Sequence, residues 1–155
     1  MNSIFQFKRS YLIFSFTFMI FQGFIIALLY NLGYPESKIG LFLSINMISA
    51  VIGQFLNGYI SDKYLTIRQV MLIQICISVL GISILFFTTN YYLLVLVGAI
   101  MGFSIMAIYS SMDSWVLFNS QETHDQYANI LMFSSIGKSI STILVGKLFD
   151  LLGYN

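Results

Sequence analysis

Between Ile39 and Ile60 the chain carries no charged residue, and between Val70 and Met112 it again carries none. An apolar stretch of about 20 residues, rising about 1.5 Å per residue as a helix, matches the hydrocarbon thickness of a bilayer. Lipid offers no hydrogen bonds, so a chain of such stretches must satisfy its backbone within helices or a closed barrel. These runs are too long for barrel strands and show no alternation of polar and apolar residues. Charged residues make up 8% of the whole and apolar residues 58%. A soluble domain is about 25% charged, so there is too little polar surface here to cover a water-soluble fold. The expected fold is an all-α membrane protein.

The spans follow from the punctuation. Tyr11 to Tyr30 is a first span, ended by Asn31, Gly33 and Pro35. It is too long for the apolar core of a signal peptide, although Lys8 and Arg9 precede it. Lys38 to Ile60 is a second. The run from Val70 to Met112 is too long for one helix, and Thr88-Thr89-Asn90 divides it, with Asn90 as an N-cap. The third span is then Thr66 to Phe87 and the fourth Tyr91 to Asn119. Thr66-Ile67-Arg68-Gln69 reads as a capping box opening the third. Thr123-His124-Asp125-Gln126 reads as a second box, opening a fifth span over 125–152. That makes a single transmembrane domain of about five helices over 1–155, with sequential helices as antiparallel neighbours. Lys8, Arg9, Lys63 and Arg68 fall on one side of the membrane and Lys38 and Lys147 on the other. The bias puts the N-terminus in the cytoplasm of a multi-pass plasma or inner membrane protein.

Gly58 to Arg68 is a small charged island between two spans, and it carries a pattern. Gly58-Tyr59-Ile60-Ser61-Asp62-Lys63 resembles the loop between helices 2 and 3 of the major facilitator superfamily, roughly G-x-L-[AS]-D-[RK]-x-G-[RK]-[RK]. Leu65-Thr66-Ile67 stands where that family has its turn glycine and a basic residue, and Arg68 follows one position late. The resemblance implies that Gly58, Asp62, Lys63 and Arg68 form a loop that latches the two halves of a transporter. Asp62 is expected to pair with a basic side chain or to sit at a helix N-terminus, where the dipole favours an anion.

A second stretch, Tyr127 to Gly137 (YANILMFSSIG), resembles helix 5 of the lactose-permease-like, oligosaccharide–proton symporter branch, which has G-R-A-R-M-F-G-C-V-G-W there. The acidic residue that this branch carries on helix 4 falls on Asp113 when counted back from Met132. Leu131 stands where the branch has its sugar-binding Arg, and Lys138 where it has a sugar-stacking Trp. Galactoside recognition is therefore not implied.

Asp113 and Lys138 are the chemistry candidates, charged residues placed inside the membrane. A lysine at mid-bilayer costs about 2.5–3.5 kcal/mol on insertion scales and usually faces a water-filled cavity. Helical rise separates the two along the membrane normal by about 11–12 Å. A shared cavity bridged by water or by an anionic or zwitterionic solute fits better than a direct ion pair. Gln22, Asn46, Tyr109 and Ser110 are candidates to line the same cavity. Plainer readings stand beside these. Asp113 could be an interfacial carboxylate, Lys138 could serve backbone carbonyls, Trp115 could be an interface anchor, and the neutral polar residues could be interhelical glue. Gly98-x-x-x-Gly102, and more loosely Ala50 with Gly53, read as close-packing positions.

No catalytic set, metal-ligand cluster or phosphate loop is legible, so neither an enzyme nor a cofactor is expected. Cys76 is a lone packing residue, and a net charge of +1 gives no reason to invoke nucleic acid. The partners expected are the lipid bilayer, a small-molecule solute and protons. The resemblance implies a secondary, proton-coupled transporter. The superfamily's half-unit has six helices, so the chain is expected to be an N-terminal fragment, a partial N-terminal half without helix 6 and the C-terminal half, that does not transport acting alone. Two other classes fit the same residues: a drug or metabolite exporter of the same superfamily, and a non-transporting membrane interaction protein or truncated remnant.

Overall fold

The computed structural model describes residues 3–119 and 124–152. They form five helices: α1 (Ser3–Asn31), α2 (Glu36–Lys63), α3 (Ile67–Phe87), α4 (Tyr91–Asn119) and α5 (Tyr127–Leu152). Each is long and apolar enough to cross a membrane, and there is no strand among the described residues. The protein is a multi-pass, all-α membrane protein.

The helix ends show where local chemistry decides. Gly33 closes α1 with φ at 75°, the left-handed conformation that glycine adopts without penalty. Its N–H donates to Tyr30 O at 2.9 Å, and that of Tyr34 to Leu29 O at 3.2 Å. At the start of α3, Thr66 makes the expected capping box. The Thr66 N–H donates to Gln69 Oε1 at 2.9 Å, and the Gln69 N–H to Thr66 Oγ1 at 3.4 Å. The second box rests on Thr123, outside the described residues, and α5 begins at Tyr127.

Two boundaries differ most from the sequence reading. α1 starts at Ser3 rather than Tyr11, because Lys8 and Arg9 are themselves helical. Nothing in a charged side chain opposes helix where the backbone has left the hydrocarbon. The larger difference lies at the charged island. Gly58, Asp62 and Lys63 belong to the last turns of α2, and only 64–66 separate α2 from α3. Tyr64 and Leu65 both donate their N–H groups to Ile60 O, at 2.9 and 3.0 Å. The missing turn glycine is thus accommodated by lengthening the helix.

The described residues fall into two compact units, 3–34 with 116–119 and 124–152, and 35–115. In the first, α1 packs on α5, a pairing that loop lengths alone do not foretell. Helices in lipid gain little from the hydrophobic effect and associate through close backbone approach. α5 accordingly turns Ser134, Gly137 and Ser141 inward. A Cβ on Gly137 would lie 2.5 Å from Leu12 O, and one on Gly23 would lie 2.7 Å from Val145 Cγ1. The buried hydroxyls of Ser15 and Ser134 hydrogen-bond across this seam.

In the second unit, α2 meets α4 by the same device. Gly53 abuts the backbone of Phe103, Gly102 abuts the backbone of Asn46, and Gly98 receives the ring of Phe42. Gly98 and Gly102 are the packing pair that their spacing announced. On α3, Gly81 makes room for Met101 of α4, with 2.8 Å from a built Cβ to Met101 Cγ. Near the connector, α2 and α3 are joined by a buried amide pair. Gln74 Nε2 donates to Asn57 Oδ1 at 2.5 Å, and Asn57 Nδ2 donates to Gly53 O at 2.8 Å. Removing one partner from such a pair leaves a buried donor unsatisfied, worth about 1–3 kcal/mol. Asn57→Ala should therefore destabilise by that amount, whereas Asn57→Ala with Gln74→Leu should recover most of the loss. Thermal unfolding in detergent of the single and double variants measures it.

Candidate functional site

α5 carries three distinct faces, separated by its 3.6-residue period. Ile130, Ser134, Gly137 and Ser141 are buried, on the side that packs against α1. Met132, Ile136, Ile140, Ile143 and Leu144 are exposed and apolar, as a lipid-facing surface should be. Ser135, Lys138, Ser139 and Thr142 are exposed and polar. Their spacing of three, four and seven residues places them on one stripe. Lys138 stands near the middle of a helix of 26 residues. An ammonium at that depth is far costlier facing lipid than facing water, so this stripe is the face of α5 suited to an aqueous path. Gly146 continues it with no atom within 4 Å of a built Cβ.

The hydroxyls of the stripe are oriented by their own helix. Ser139 Oγ donates to Ser135 O at 2.9 Å, and Thr142 Oγ1 donates to Lys138 O at 2.9 Å. Each hydroxyl proton is thereby directed to the backbone, leaving the oxygen lone pairs to accept.

α4 repeats this organisation in the other unit. Its deeply buried face includes Ser104, Ala107, Ile108, Ser111 and Met112. Tyr109, Ser110, Asp113 and Ser114 are half-buried on the adjacent face. Ser114 Oγ donates to Ser110 O at 3.0 Å. The carboxylate of Asp113 is thus carried on a polar helix face among hydroxyl-bearing side chains.

The remaining candidates divide. Gln22 is half-buried on α1, in the unit that contains Lys138. Tyr109 shares a face and a unit with Asp113. Asn46 does a packing job: its Nδ2 donates to Gly98 O at 2.6 Å, across the glycine contact between α2 and α4. Trp115 is exposed near the end of α4, as an interface anchor would be.

The charged island also reads differently in three dimensions. Asp62 is exposed in the last turn of α2, the helix end that disfavours an anion, and not at a helix N-terminus. Among the described residues no ion pair joins it to Lys63 or Arg68. Lys63 instead donates to Tyr59 Oη at 3.0 Å and lies 4.6 Å from the centre of that ring.

Sequence reasoning passed over Ser135, Ser139 and Thr142, although their spacing about Lys138 was there to count. It also passed over Asn57 and Gln74, amides within two uncharged runs. Gln74 Oε1 and Ser78 Oγ, a turn apart on α3, are buried without a hydrogen-bond partner. Among the described residues no group of His, Cys, Asp and Glu is arranged to hold a metal ion.

No curated protein and no solved structure matches the chain. A family model described as the MFS_1 like family matches residues 4–155.

Proposed function

Because the chain belongs to the MFS_1-like family, related to the major facilitator transporters, we propose that it serves secondary transport of a small solute across the plasma or inner membrane. The N-terminus lies in the cytoplasm, and the helices form part of a device that alternates access between the two sides. The observation that carries this reading is the exposed polar stripe Ser135–Lys138–Ser139–Thr142 on α5. A helix buried for packing alone needs one inward face, and a lipid-facing helix needs an apolar remainder. α5 has both and a third face besides.

In this reading the stripe on α5 contacts the solute, and Asp113 on α4 takes up and releases the coupling proton. Intramembrane carboxylates commonly serve as such relays. The likeness of Tyr127 to Gly137 to the oligosaccharide–proton symporter branch supports uptake by symport. Gly58, Asp62, Lys63 and Arg68 act as the latch that the superfamily pattern implies, with Asp62 available for a partner because Lys63 engages Tyr59. The test is solute uptake into membrane vesicles from cells expressing the protein from its own gene. An inward proton gradient should drive accumulation that a protonophore abolishes. Accumulation indifferent to the gradient would overturn proton coupling, and no gene-dependent flux would overturn transport.

A further inference from the structure

The amide pair that joins α2 to α3 ends in an unmatched oxygen, and we infer that Gln74 Oε1 and Ser78 Oγ together hold a single buried water molecule.

The sense of the hydrogen bonds is fixed from one end. Gly53 O is a carbonyl oxygen and can only accept, so Asn57 must turn its NH2 group to it, and Asn57 Nδ2 lies 2.8 Å away. Asn57 Oδ1 then faces Gln74 and can also only accept, so Gln74 presents Nε2 to it, at 2.5 Å. Turning either amide over would set two acceptors face to face. Gln74 Oε1 is therefore left on the far side of its amide, buried and in need of a donor.

Ser78 stands one turn further along α3, and its hydroxyl is not taken up by its own helix. Ser83 on α3 donates to Val79 O at 2.9 Å, and Ser104 on α4 donates to Ile100 O at 3.0 Å. That is the ordinary bond of a serine within a helix. Ser78 Oγ makes no such bond and has no other partner. Gln74 is 4% exposed and Ser78 9%, so bulk water does not serve either group, and lipid has no donor to give.

The occupant must be small, uncharged and able to donate. Gln74 Oε1 needs a proton, whereas Ser78 Oγ can give one or take one. Water does both, and two to four hydrogen bonds are usual for a buried water. A hard metal ion would need about six oxygens, carboxylates among them. Here there are two neutral oxygens, and the acid nearest along the chain, Asp62, is exposed at the end of α2. From Ile67, Gln74 lies about 10 Å of helix rise inward and Ser78 about 16 Å. The water thus extends the joint between α2 and α3 from the amide pair toward the middle of the membrane.

The experiment is solid-state NMR of the full chain, isotopically labelled in lipid bilayers, following magnetisation that starts on water. Transfer should reach Gln74 Cδ and Ser78 Cβ several-fold faster than the carbons of Leu85 or Cβ of Ser104. Both controls are buried, and the Ser104 hydroxyl is already satisfied. Ser78→Ala should slow the transfer to Gln74 Cδ, and Asn57→Ala with Gln74→Leu should slow it at Ser78 Cβ. Transfer at Gln74 and Ser78 no faster than at the controls would overturn the inference, and would mean that the Ser78 hydroxyl swings over to Gln74 directly. Fast transfer to Gln74 that Ser78→Ala leaves unchanged would overturn it too, by removing Ser78 from the site. The measurement on the unmodified chain decides the first point even where a variant does not fold.

Discussion

Gly53→Ala is expected to abolish most of the folded protein, and Gly102→Ala to do nearly the same. At Gly53 a Cβ would strike the carbonyl of Phe103, and at Gly102 the backbone of Asn46. Both obstacles are main chain of a neighbouring helix, which cannot rotate away as a side chain can. Relief requires α2 and α4 to separate. That would also disturb the bond from Asn46 Nδ2 to Gly98 O and the seat of the Phe42 ring on Gly98. Overpacking a well-fitted core costs about 1–3 kcal/mol per site, and here one methyl disrupts several contacts together. Gly40, Gly58 and Gly146 have nothing within 4 Å of a built Cβ, so alanine there should be tolerated. Monodisperse yield in detergent and the temperature of half-loss of that peak measure the difference. Equal behaviour of both groups of glycines would show that α2 and α4 do not meet as described.

Asp113→Asn should stop proton-driven uptake while sparing the exchange of solute across the membrane. Asparagine keeps the size of the side chain and its capacity to accept hydrogen bonds. It removes the titratable proton and the negative charge, and puts an NH2 donor in place of one carboxylate oxygen. On the α4 face that also bears Tyr109, Ser110 and Ser114, the substitution leaves the surroundings intact. Accumulation against a gradient requires a group that titrates during the cycle, so uphill flux should fall by about tenfold or more. Equilibrium exchange requires only solute and a moving path, so it should persist. Uphill uptake at the normal rate in Asp113→Asn would remove this residue from the coupling step. Loss of both activities together would point to a packing role instead.

Much of the fold was legible because the bilayer imposes a simple rule. Uncharged runs of the right length must be helices, and Thr66, Asn90 and Gly33 mark their ends by capping chemistry that operates locally. The helical pairings were harder to foresee. Sequence gives the period of a helix but not its rotation against a neighbour, so Asn46 read equally well as cavity lining and as glue. Only the position of the Gly98 carbonyl decides between them. The charged island shows a related effect. A charged, glycine-containing stretch reads as loop, yet Gly58 sits in open helix and the backbone simply continues to Lys63. At the candidate site the ionisable residues stood out because charge is rare here. Ser135, Ser139 and Thr142 did not stand out, since serine and threonine are common within spans and only their shared face with Lys138 sets them apart. Asp113 and Lys138 fall in different compact units, each on a polar face of its own helix.

The central claim is that one exposed face of α5 meets water while the other exposed face meets lipid. Single cysteines in a Cys76→Ala background test it directly, read with a charged, membrane-impermeant thiol reagent on the protein in vesicles. Cysteine at Ser135, Ser139 or Thr142 should react, and solute should slow the reaction. Cysteine at Ile136, Ile140 or Ile143 should stay unlabelled, since a thiol in hydrocarbon is neither ionised nor reachable by such a reagent. Labelling of the isoleucine positions with silence along the Ser135–Thr142 stripe would contradict the account.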